Sequence, residues 1–339
     1  MGRTPFFDNA KFILVFLVVF GHLIEPLIEN SPIIKIVYLS IYSFHMPAFV
    51  IISGMLSRSD GSSDAVAKAV RNILIPFVAF TIAYEAFNYL TTGSISDYTK
   101  NVQPYWMLWF LYSLFLWKLM LPSILKFKYP IAMTLLIAVS AGYIELIGYD
   151  LGISRTLYFL PFFVIGHKIT PDTFMSFRSK YCGLSLKVAM VVVVVVVLNI
   201  SLFSYYNGMP HQWLYGSFSY SRLGIGDISA GLIRLGLMLI SLLTAFAVLL
   251  LIPVGSNKIL SQGKNSLYVY AWHGFFIKAF IILGVPMLLT SYSVVTCLSF
   301  LFVFSVILTL TLSQEFIANK TKQLVLNPLH HILQSRKIS

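Results

Sequence analysis

Charged residues are scarce in this sequence. Only 11% of its 339 residues are Asp, Glu, Lys or Arg, whereas 58% are hydrophobic and the mean hydropathy is +0.83. Soluble domains have about a quarter of their residues charged, so the composition excludes an ordinary soluble enzyme and indicates a polytopic membrane protein. The apolar runs recur from end to end and leave no room for a sizeable soluble domain.

Cysteine and acidic residues are also few. Cys182 and Cys297 lie in separate apolar segments without metal-ligand spacing, so neither a disulfide framework nor a metal site is supported. The 12 acidic residues stand against 24 Lys and Arg, which gives a net charge of +12. In a soluble protein this charge would suggest nucleic acid as a partner, but basic cytoplasmic loops explain it in a membrane protein. We therefore expect no metal and no nucleic-acid partner.

The apolar segments predict an all-α bundle of about ten transmembrane helices, since a helix needs about 20 residues to cross the bilayer. The first segment is not a removable signal peptide, because it exceeds a typical apolar core and has no small-residue cleavage site. The predicted spans are residues 9–28, 34–56, 70–91, 104–123, 130–148, 155–170, 184–205, 228–253, 265–285 and 291–314.

Basic residues are distributed unevenly among the connections between these spans. One alternate set of connections and the termini together contain Arg3, Arg58, Lys68, Arg71, Lys126, Lys128, Arg178, Lys180, Lys258, Lys264, Lys320, Lys322, Arg336 and Lys337. The other set has little beyond Lys35, Lys100, Arg155 and Arg222. The positive-inside rule therefore predicts cytoplasmic termini and an even number of spans. We expect a multi-pass plasma-membrane protein with a transmembrane domain at 1–318 and a short basic cytoplasmic tail at 319–339.

The first span contains ionisable residues where polar groups are costly. Eleven steps of a helix from Lys11 to His22 make three turns plus roughly 20°, so both side chains share a face about 16 Å apart. Asp8 falls on the same face, and His22 is expected near mid-membrane. Lys11 could instead extend to the interface, and His22 could be a satisfied structural residue. A neutral imidazole in a low-dielectric site is, however, the state that a general base needs.

Asp8-Asn9-Ala10-Lys11 followed by His22 resembles the signature of the integral-membrane acyltransferase-3 family, most closely its fucose 4-O-acetylase-like branch. The family has arginine where this chain has Lys11. Further segments resemble the family in its order along the chain: FHMPAFVIISGMLSR at 44–58, which contains Ser53-Gly54, the basic pair Lys68 and Arg71, YWMLWFLYSLFL at 105–116, which contains Trp109, RTLYFLPFFVIGHKI at 155–169 and GKNSLYVYAWHGFF at 263–276.

The resemblance implies an O-acyltransferase that moves an acetyl group from cytosolic acetyl-CoA to a hydroxyl of a glycan or sugar outside the cytoplasm. Lys11, Lys68 and Arg71 would then bind the phosphates of the donor, although Lys68 and Arg71 could instead serve only to set the topology. His22 would take the proton of the acceptor hydroxyl during direct transfer, with an acyl-histidine intermediate as the alternative.

Other side chains are candidates for supporting this site. Glu25 lies one helical turn beyond His22 and could orient the imidazole or polarise the acceptor. His45 and His273 are expected at a similar depth, as hydrogen-bonding partners of the site or as structural residues. A metal held by the three histidines is disfavoured, because no carboxylate or cysteine accompanies them at ligand spacing. Arg155, Ser53 and Trp109 complete the acceptor-site or supporting set, although Ser53-Gly54 could simply pack helices.

A transporter or exporter of an acylated metabolite or glycan intermediate is the alternative function. It would also have many apolar helices and buried charges, but it would move its substrate without covalent change. A sensor or structural membrane protein is a third class, and it gives no reason for the stripe from Lys11 to His22.

Overall fold

The computed structural model describes residues 4–57, 61–145, 147, 150–180, 183–206 and 208–327. Every regular element in these ranges is helical, which confirms the all-α class. The predictions that involve Arg3, Arg58, Cys182, Arg336 and Lys337 lie outside the described residues. The predicted domain boundary at residue 318 falls inside a helix, and the tail beyond residue 327 lies outside the described part.

Sixteen α-helices occur in the described ranges. They are α1 (Pro5–Ile24), α2 (Pro32–Tyr42), α3 (His45–Met55), α4 (Ser63–Ala69), α5 (Ile75–Thr92), α6 (Asp97–Lys100), α7 (Trp109–Ile124), α8 (Pro130–Ser140), α9 (Ile153–Lys168), α10 (Pro171–Lys180), α11 (Leu184–Tyr206), α12 (Ile228–Leu251), α13 (Ser266–Ile282), α14 (Val285–Leu289), α15 (Val294–Leu312) and α16 (Glu315–Thr321). Short 3-10 turns cover Glu25–Leu27, Trp106–Leu108, Ala141–Tyr143, Asp150–Gly152, His211–Leu214 and Leu260–Asn265, and π-helical turns cover Val70–Leu74 and Lys322–Leu326.

Seven stretches of the described chain are long and apolar enough to cross a membrane, so the number ten is not confirmed. They are Pro5–Leu27, Pro32–Met55, Ser63–Thr92, Trp106–Ile124, Leu186–Phe203, Ile228–Leu251 and Val294–Leu312. The other three predicted spans correspond to α8, α9 and α13, which have 11, 16 and 17 residues. At 1.5 Å per residue each is shorter than the roughly 30 Å hydrocarbon layer. The orientation of the termini remains a prediction.

Local sequence explains where several helices begin and end. Proline opens α1, α2 and α8, where its missing N–H and fixed φ are suited to the first helical position. The Ser62 hydroxyl accepts a hydrogen bond from the Ala65 amide at 3.1 Å and caps α4. Gly93 ends α5 in the left-handed conformation at φ 71°.

The described chain divides into two compact units. The first contains the described residues of the ranges Met1–Phe49, Ser176–His211 and Leu239–Asn319. In this unit α1 packs against α2, α13, α15 and the 3-10 turn Leu260–Asn265. Gly263 permits the closest approach, because a Cβ there would lie 1.8 Å from the Asp8 carbonyl oxygen of α1. Helix α1 is therefore the central element of this unit.

The second unit contains the described residues of the ranges Val50–Met175, Gln212–Met238 and Lys320–Ser339. Helix α9 packs against α7 and α8, and α4 and the π-helical turn Val70–Leu74 pack against α7. Two glycines bring α3 and α9 together: a Cβ on Gly54 would lie 2.1 Å from the Phe163 carbonyl oxygen, and one on Gly166 would lie 2.1 Å from that of Ile51. The predicted packing role of Gly54 is thus confirmed, as expected for small residues between membrane helices.

Helix α11 carries the valine run from Val191 to Val197. Only 11% of the apolar window Leu186–Phe203 is buried in the protein, and Val191 and Val194 are more than half exposed. Such an apolar, exposed face is typical of a helix side that contacts lipid in a membrane protein.

Candidate functional site

His22 lies in the last turn of α1, within the first unit. It is five residues from Leu27 and seventeen from Pro5 in the candidate span Pro5–Leu27, and its depth in the membrane stays a prediction. The first 3-10 turn follows directly and contains Glu25.

The His22 imidazole is hydrogen bonded through Nδ1. Glu25 Oε2 lies 3.0 Å from Nδ1, and the Tyr42 hydroxyl oxygen lies 3.3 Å from the same atom. A carboxylate can only accept, so the bond to Glu25 requires the proton on Nδ1 and leaves the lone pair on Nε2. This carboxylate–imidazole arrangement holds one tautomer and would stabilise an imidazolium formed by proton uptake. It suits a general base.

His45 and His273 belong to the same unit and have their tautomers set by the backbone. Nδ1 of His45 lies 2.8 Å from the Ile41 carbonyl oxygen, and Nδ1 of His273 lies 3.0 and 2.8 Å from those of Val269 and Tyr270. Carbonyls only accept, so both rings are protonated on Nδ1 and offer Nε2 as an acceptor. Both residues are buried.

These rings surround Tyr42 and His22. The centroid of His273 lies 5.7 Å from that of His22, and Tyr42 lies 4.7 Å from His45 and 6.2 Å from His22. Nε2 of His273 is buried and has no hydrogen-bond partner in the described structure. The structure therefore brings His22, Glu25, His45 and His273 together, as a cluster that also contains Tyr42.

The break between α2 and α3 creates part of this cluster. Helix α2 ends at Tyr42 and α3 begins at His45, inside the candidate span Pro32–Met55. Tyr42 and His45 flank the break, and the Ile41 carbonyl there accepts the His45 ring proton. Such interruptions of a membrane helix are tolerated where side chains satisfy the freed backbone groups.

Lys11 is held by the structure around the start of α1. Its Nζ lies 3.9 Å from Asp8 Oδ1, and its side chain is about one-quarter exposed. Neighbouring Asn9 is fully buried and donates from Nδ2 to the carbonyl oxygens of Pro253 and Gly255, both at 2.9 Å. Asn9 therefore fixes this end of α1. With Lys11 at one end and His22 at the other, the two predicted site residues occupy well-separated positions on α1.

Lys68, in the second unit, lines a cavity of about 700 Å³. It is exposed on α4 and pairs with Asp64 at 2.6 Å. Arg71 is exposed on the π-helical turn and does not line this cavity. The cavity wall also includes Lys118 from α7, together with Asp64 and Asn72. Of Lys68 and Arg71, only Lys68 lines this cavity, and Lys118 is a second lysine in its wall.

Arg155 and Trp109 meet in the second unit. The Arg155 guanidinium carbon lies 5.2 Å from the centroid of Trp109 and 5.8 Å from that of Tyr215, and Nη2 donates to the Ser217 hydroxyl at 3.4 Å. Ser53 lies on α3 beside Gly54, and its carbonyl accepts from the Ser57 hydroxyl at 2.6 Å. Its position next to the α3–α9 contact fits a structural role.

Three residues escaped prediction. The sequence indicated Tyr42 only weakly, through its position four residues after Tyr38 on one helical face. The ring centroids of the two tyrosines stack 3.9 Å apart. Lys118 and Arg234 had a strong signal, because each is a single cation in an apolar span. Arg234 is 1% exposed and donates to the carbonyls of Ala138 at 3.2 Å and Phe218 at 3.0 Å.

The surroundings of Arg234 are aromatic. Its guanidinium carbon lies 4.4 Å from the centroid of Tyr220. Burial raises the pKa of Tyr220 to about 12, so its hydroxyl stays protonated and donates to the Val139 carbonyl at 2.9 Å. The arginine and the tyrosine both bind backbone carbonyls of α8, so Arg234 has a structural role. Within the described ranges, no three histidine, cysteine or acidic side chains lie close enough to hold a metal ion.

Comparison with protein families identifies one family, and comparison with known proteins finds two relatives that each align over part of the chain. The sequence model of the acyltransferase-3 family, described as an acyltransferase domain, matches residues 4–313. Nodulation protein NolL of Sinorhizobium fredii is 33% identical over 186 residues, which cover 49% of this chain and 48% of the relative. Nodulation protein NolL of Mesorhizobium japonicum is 32% identical over 127 residues, which cover 32% of this chain and 33% of the relative. The chain thus spans about half the length of the first relative and a third of the second. No solved structure matches.

Proposed function

The chain belongs to the acyltransferase-3 family, and from this premise we propose that it is an O-acetyltransferase of the plasma membrane. It takes an acetyl group from acetyl-CoA on the cytoplasmic side and transfers it to a hydroxyl of a glycan or sugar outside the cytoplasm. The contact between His22 and Glu25 carries the proposal, because it supplies the general base that attack by a neutral hydroxyl requires.

His22 Nε2 accepts the proton of the acceptor hydroxyl while the hydroxyl oxygen attacks the carbonyl carbon of the thioester. A C–O bond forms, the tetrahedral intermediate collapses, and the C–S bond breaks. The proton then passes from the imidazolium to the leaving thiolate, which departs as CoA. Glu25 stabilises the imidazolium at 3.0 Å throughout. Direct transfer needs no covalent enzyme intermediate, so we prefer it to an acyl-histidine pathway.

His45 and His273 act on the acceptor side of this reaction. In their neutral tautomers neither can donate from Nε2, so neither can stabilise the oxyanion of the intermediate. Each can accept a hydrogen bond from an O–H group. The unpartnered Nε2 of His273, close to the base, makes this residue the stronger candidate for positioning the acceptor. Arg155 and Trp109 offer a second surface of cation and aromatic ring suited to sugar hydroxyls and ring faces.

The basic residues serve the donor. Acetyl-CoA carries several phosphate charges, and lysine is an established phosphate-binding residue. Lys68 lines a cavity of a volume typical for small-molecule sites. Lys11, which faces Asp8, and Arg71 are the other donor-binding candidates. The charge distribution among the loops supports a cytoplasmic position for these residues and for both termini.

The test uses membranes that contain the chain, with acetyl-CoA labelled in the acetyl group. We expect label on an extracytoplasmic glycan or sugar with the wild type and essentially none with His22→Ala. His167→Ala is the matched control, because His167 belongs to the second unit and its Nδ1 bonds the Ser57 carbonyl at 3.0 Å. Equal amounts of inserted protein are verified by immunoblot.

Two outcomes would contradict the proposal. Full labelling of the acceptor with His22→Ala would show that His22 is not the general base. Unmodified substrate that crosses the membrane without covalent labelling would instead favour the transporter or exporter.

A further inference from the structure

The cavity of the second unit has two lysines on different helices. It is bounded by α4, the π-helical turn Val70–Leu74 and α7, and its volume is about 700 Å³. Lys68 comes from α4 and Lys118 from α7. The Lys68 side chain is 65% exposed, whereas Lys118 is only partly exposed. Together with the Asp64 carboxylate, the two lysines leave the charged side chains of this wall with a net charge of one positive unit.

The two lysines differ in their ion pairing. Lys68 is paired with Asp64 at 2.6 Å. In the part of the chain that the structure describes, Lys118 has no carboxylate partner. It is the one Lys or Arg in the candidate span Trp106–Ile124 and is flanked by Trp117 and Leu119. An unpaired ammonium in an apolar span is costly, and such residues are commonly functional.

Extension of Lys118 toward the membrane interface is the structural alternative. Six residues, about 9 Å along the axis, separate it from the end of α7 at Ile124. Interface extension would not require a cavity around the ammonium. The structure instead places Lys118 in a cavity wall together with Lys68 and the amide side chain of Asn72. The wall contains two cations, an amide donor and the Asp64 carboxylate that pairs with Lys68, so one positive charge remains for the oxygens of a phosphate group.

We propose that this cavity binds the phosphate-bearing end of the acyl-CoA donor and that Lys118 is a phosphate ligand. This inference rests on the proposed function, and it assigns to Lys118 a role that the sequence motifs did not suggest. Lys68 exchanges its bond with Asp64 for a bond with a phosphate oxygen when the donor binds. Lys118 has no such bond to give up, so it contributes more to donor affinity than the exposed Lys68 does.

The experiment combines variants of Lys118 with shortened donors. Direct binding of acetyl-CoA, acetyl-dephospho-CoA and acetyl-pantetheine, which has no phosphate, is measured on the full chain in detergent. Removal of one charge-assisted contact should weaken acetyl-CoA binding about ten- to hundredfold in Lys118→Met. Binding of acetyl-pantetheine should not change. The dephospho donor identifies which phosphate Lys118 contacts.

Lys126→Met is the matched control, because Lys126 is exposed just beyond the end of α7 and does not line the cavity. Lys118→Arg keeps the charge and should retain most of the affinity. Equal weakening for all three donors, or unchanged acetyl-CoA binding in Lys118→Met, would overturn the proposal. If Lys118→Met fails to fold, the same comparison is made with Lys118→Gln. Because binding is read without turnover, failure here is distinguishable from failure of the His22 mechanism.

Discussion

Replacement of Glu25 by glutamine tests the base directly. The substitution keeps the shape of the side chain and removes the charge that lies 3.0 Å from His22 Nδ1. A hydrogen bond to a charged group contributes about 1.5–3 kcal/mol, against about 1 kcal/mol for a neutral one. Because the Glu25 side chain is 32% exposed, water screens part of this difference, and we take about 1–1.5 kcal/mol.

This loss falls on the step in which the imidazolium forms. A barrier higher by about 1–1.5 kcal/mol lowers kcat roughly five- to tenfold. The KM for acetyl-CoA should stay the same, because Glu25 stabilises the protonated ring and not the bound donor. Initial rates of acetyl transfer in membranes, at several donor concentrations, give both constants.

Glu29→Gln is the control for this measurement. Glu29 is four residues further along, and its carboxylate bonds Lys35 at 3.2 Å on an exposed surface. Loss of the Glu29 charge should leave kcat equal to that of the wild type within experimental error. An unchanged kcat for Glu25→Gln, or a change only in the KM for acetyl-CoA, would refute the assignment of Glu25 to the imidazolium.

Two further predictions concern packing and acceptor binding. Gly263→Ala should lower stability by at least about 1–3 kcal/mol, since the new Cβ would lie 1.8 Å from a carbonyl oxygen of α1. Thermal unfolding in detergent measures this loss, and Gly236→Ala is the control because no atom lies within 4 Å of its new Cβ; equal melting temperatures would contradict the prediction. His273→Phe should raise the KM for the acceptor about tenfold, the cost of one lost hydrogen bond, while the KM for acetyl-CoA stays constant. An equal rise in both constants would indicate general distortion instead.

Much of the fold could be predicted because hydrophobic length is a local property. The apolar runs correctly located α1, α12 and α15, whose candidate spans agree with the prediction within a few residues. The count of ten is not confirmed, because α8, α9 and α13 each have fewer than 18 residues in the described structure. These helices end at turns, such as the 3-10 turn Ala141–Tyr143 after α8. An apolar sequence does not predict the positions of such turns.

The site was predictable where one helix contained it. The spacing of Lys11, His22 and Glu25 on α1 and its following turn could be read from a period of 3.6 residues. The convergence of His273 on His22 depends on how α13 packs against α1, and the preceding turn Leu260–Asn265 places Gly263 against backbone atoms of α1. No local pattern specifies such a contact. Lys118 was different. Its position in an apolar span was visible in the sequence, but the cavity that it lines forms only where α4, the π-helical turn Val70–Leu74 and α7 meet.

The lone pair on Nε2 of His273 has a consequence for the choice of acceptor. A buried nitrogen that accepts no hydrogen bond costs about 1–3 kcal/mol. Only a bound compound with an O–H or N–H group relieves that cost. A sugar with a free hydroxyl beside the reacting one would be favoured, whereas the same sugar methylated at that neighbouring oxygen would leave the nitrogen unsatisfied. Discrimination of this kind arises because the protein gives His273 Nε2 no hydrogen-bond partner of its own. It can reject a close analogue more strongly than an apolar pocket can.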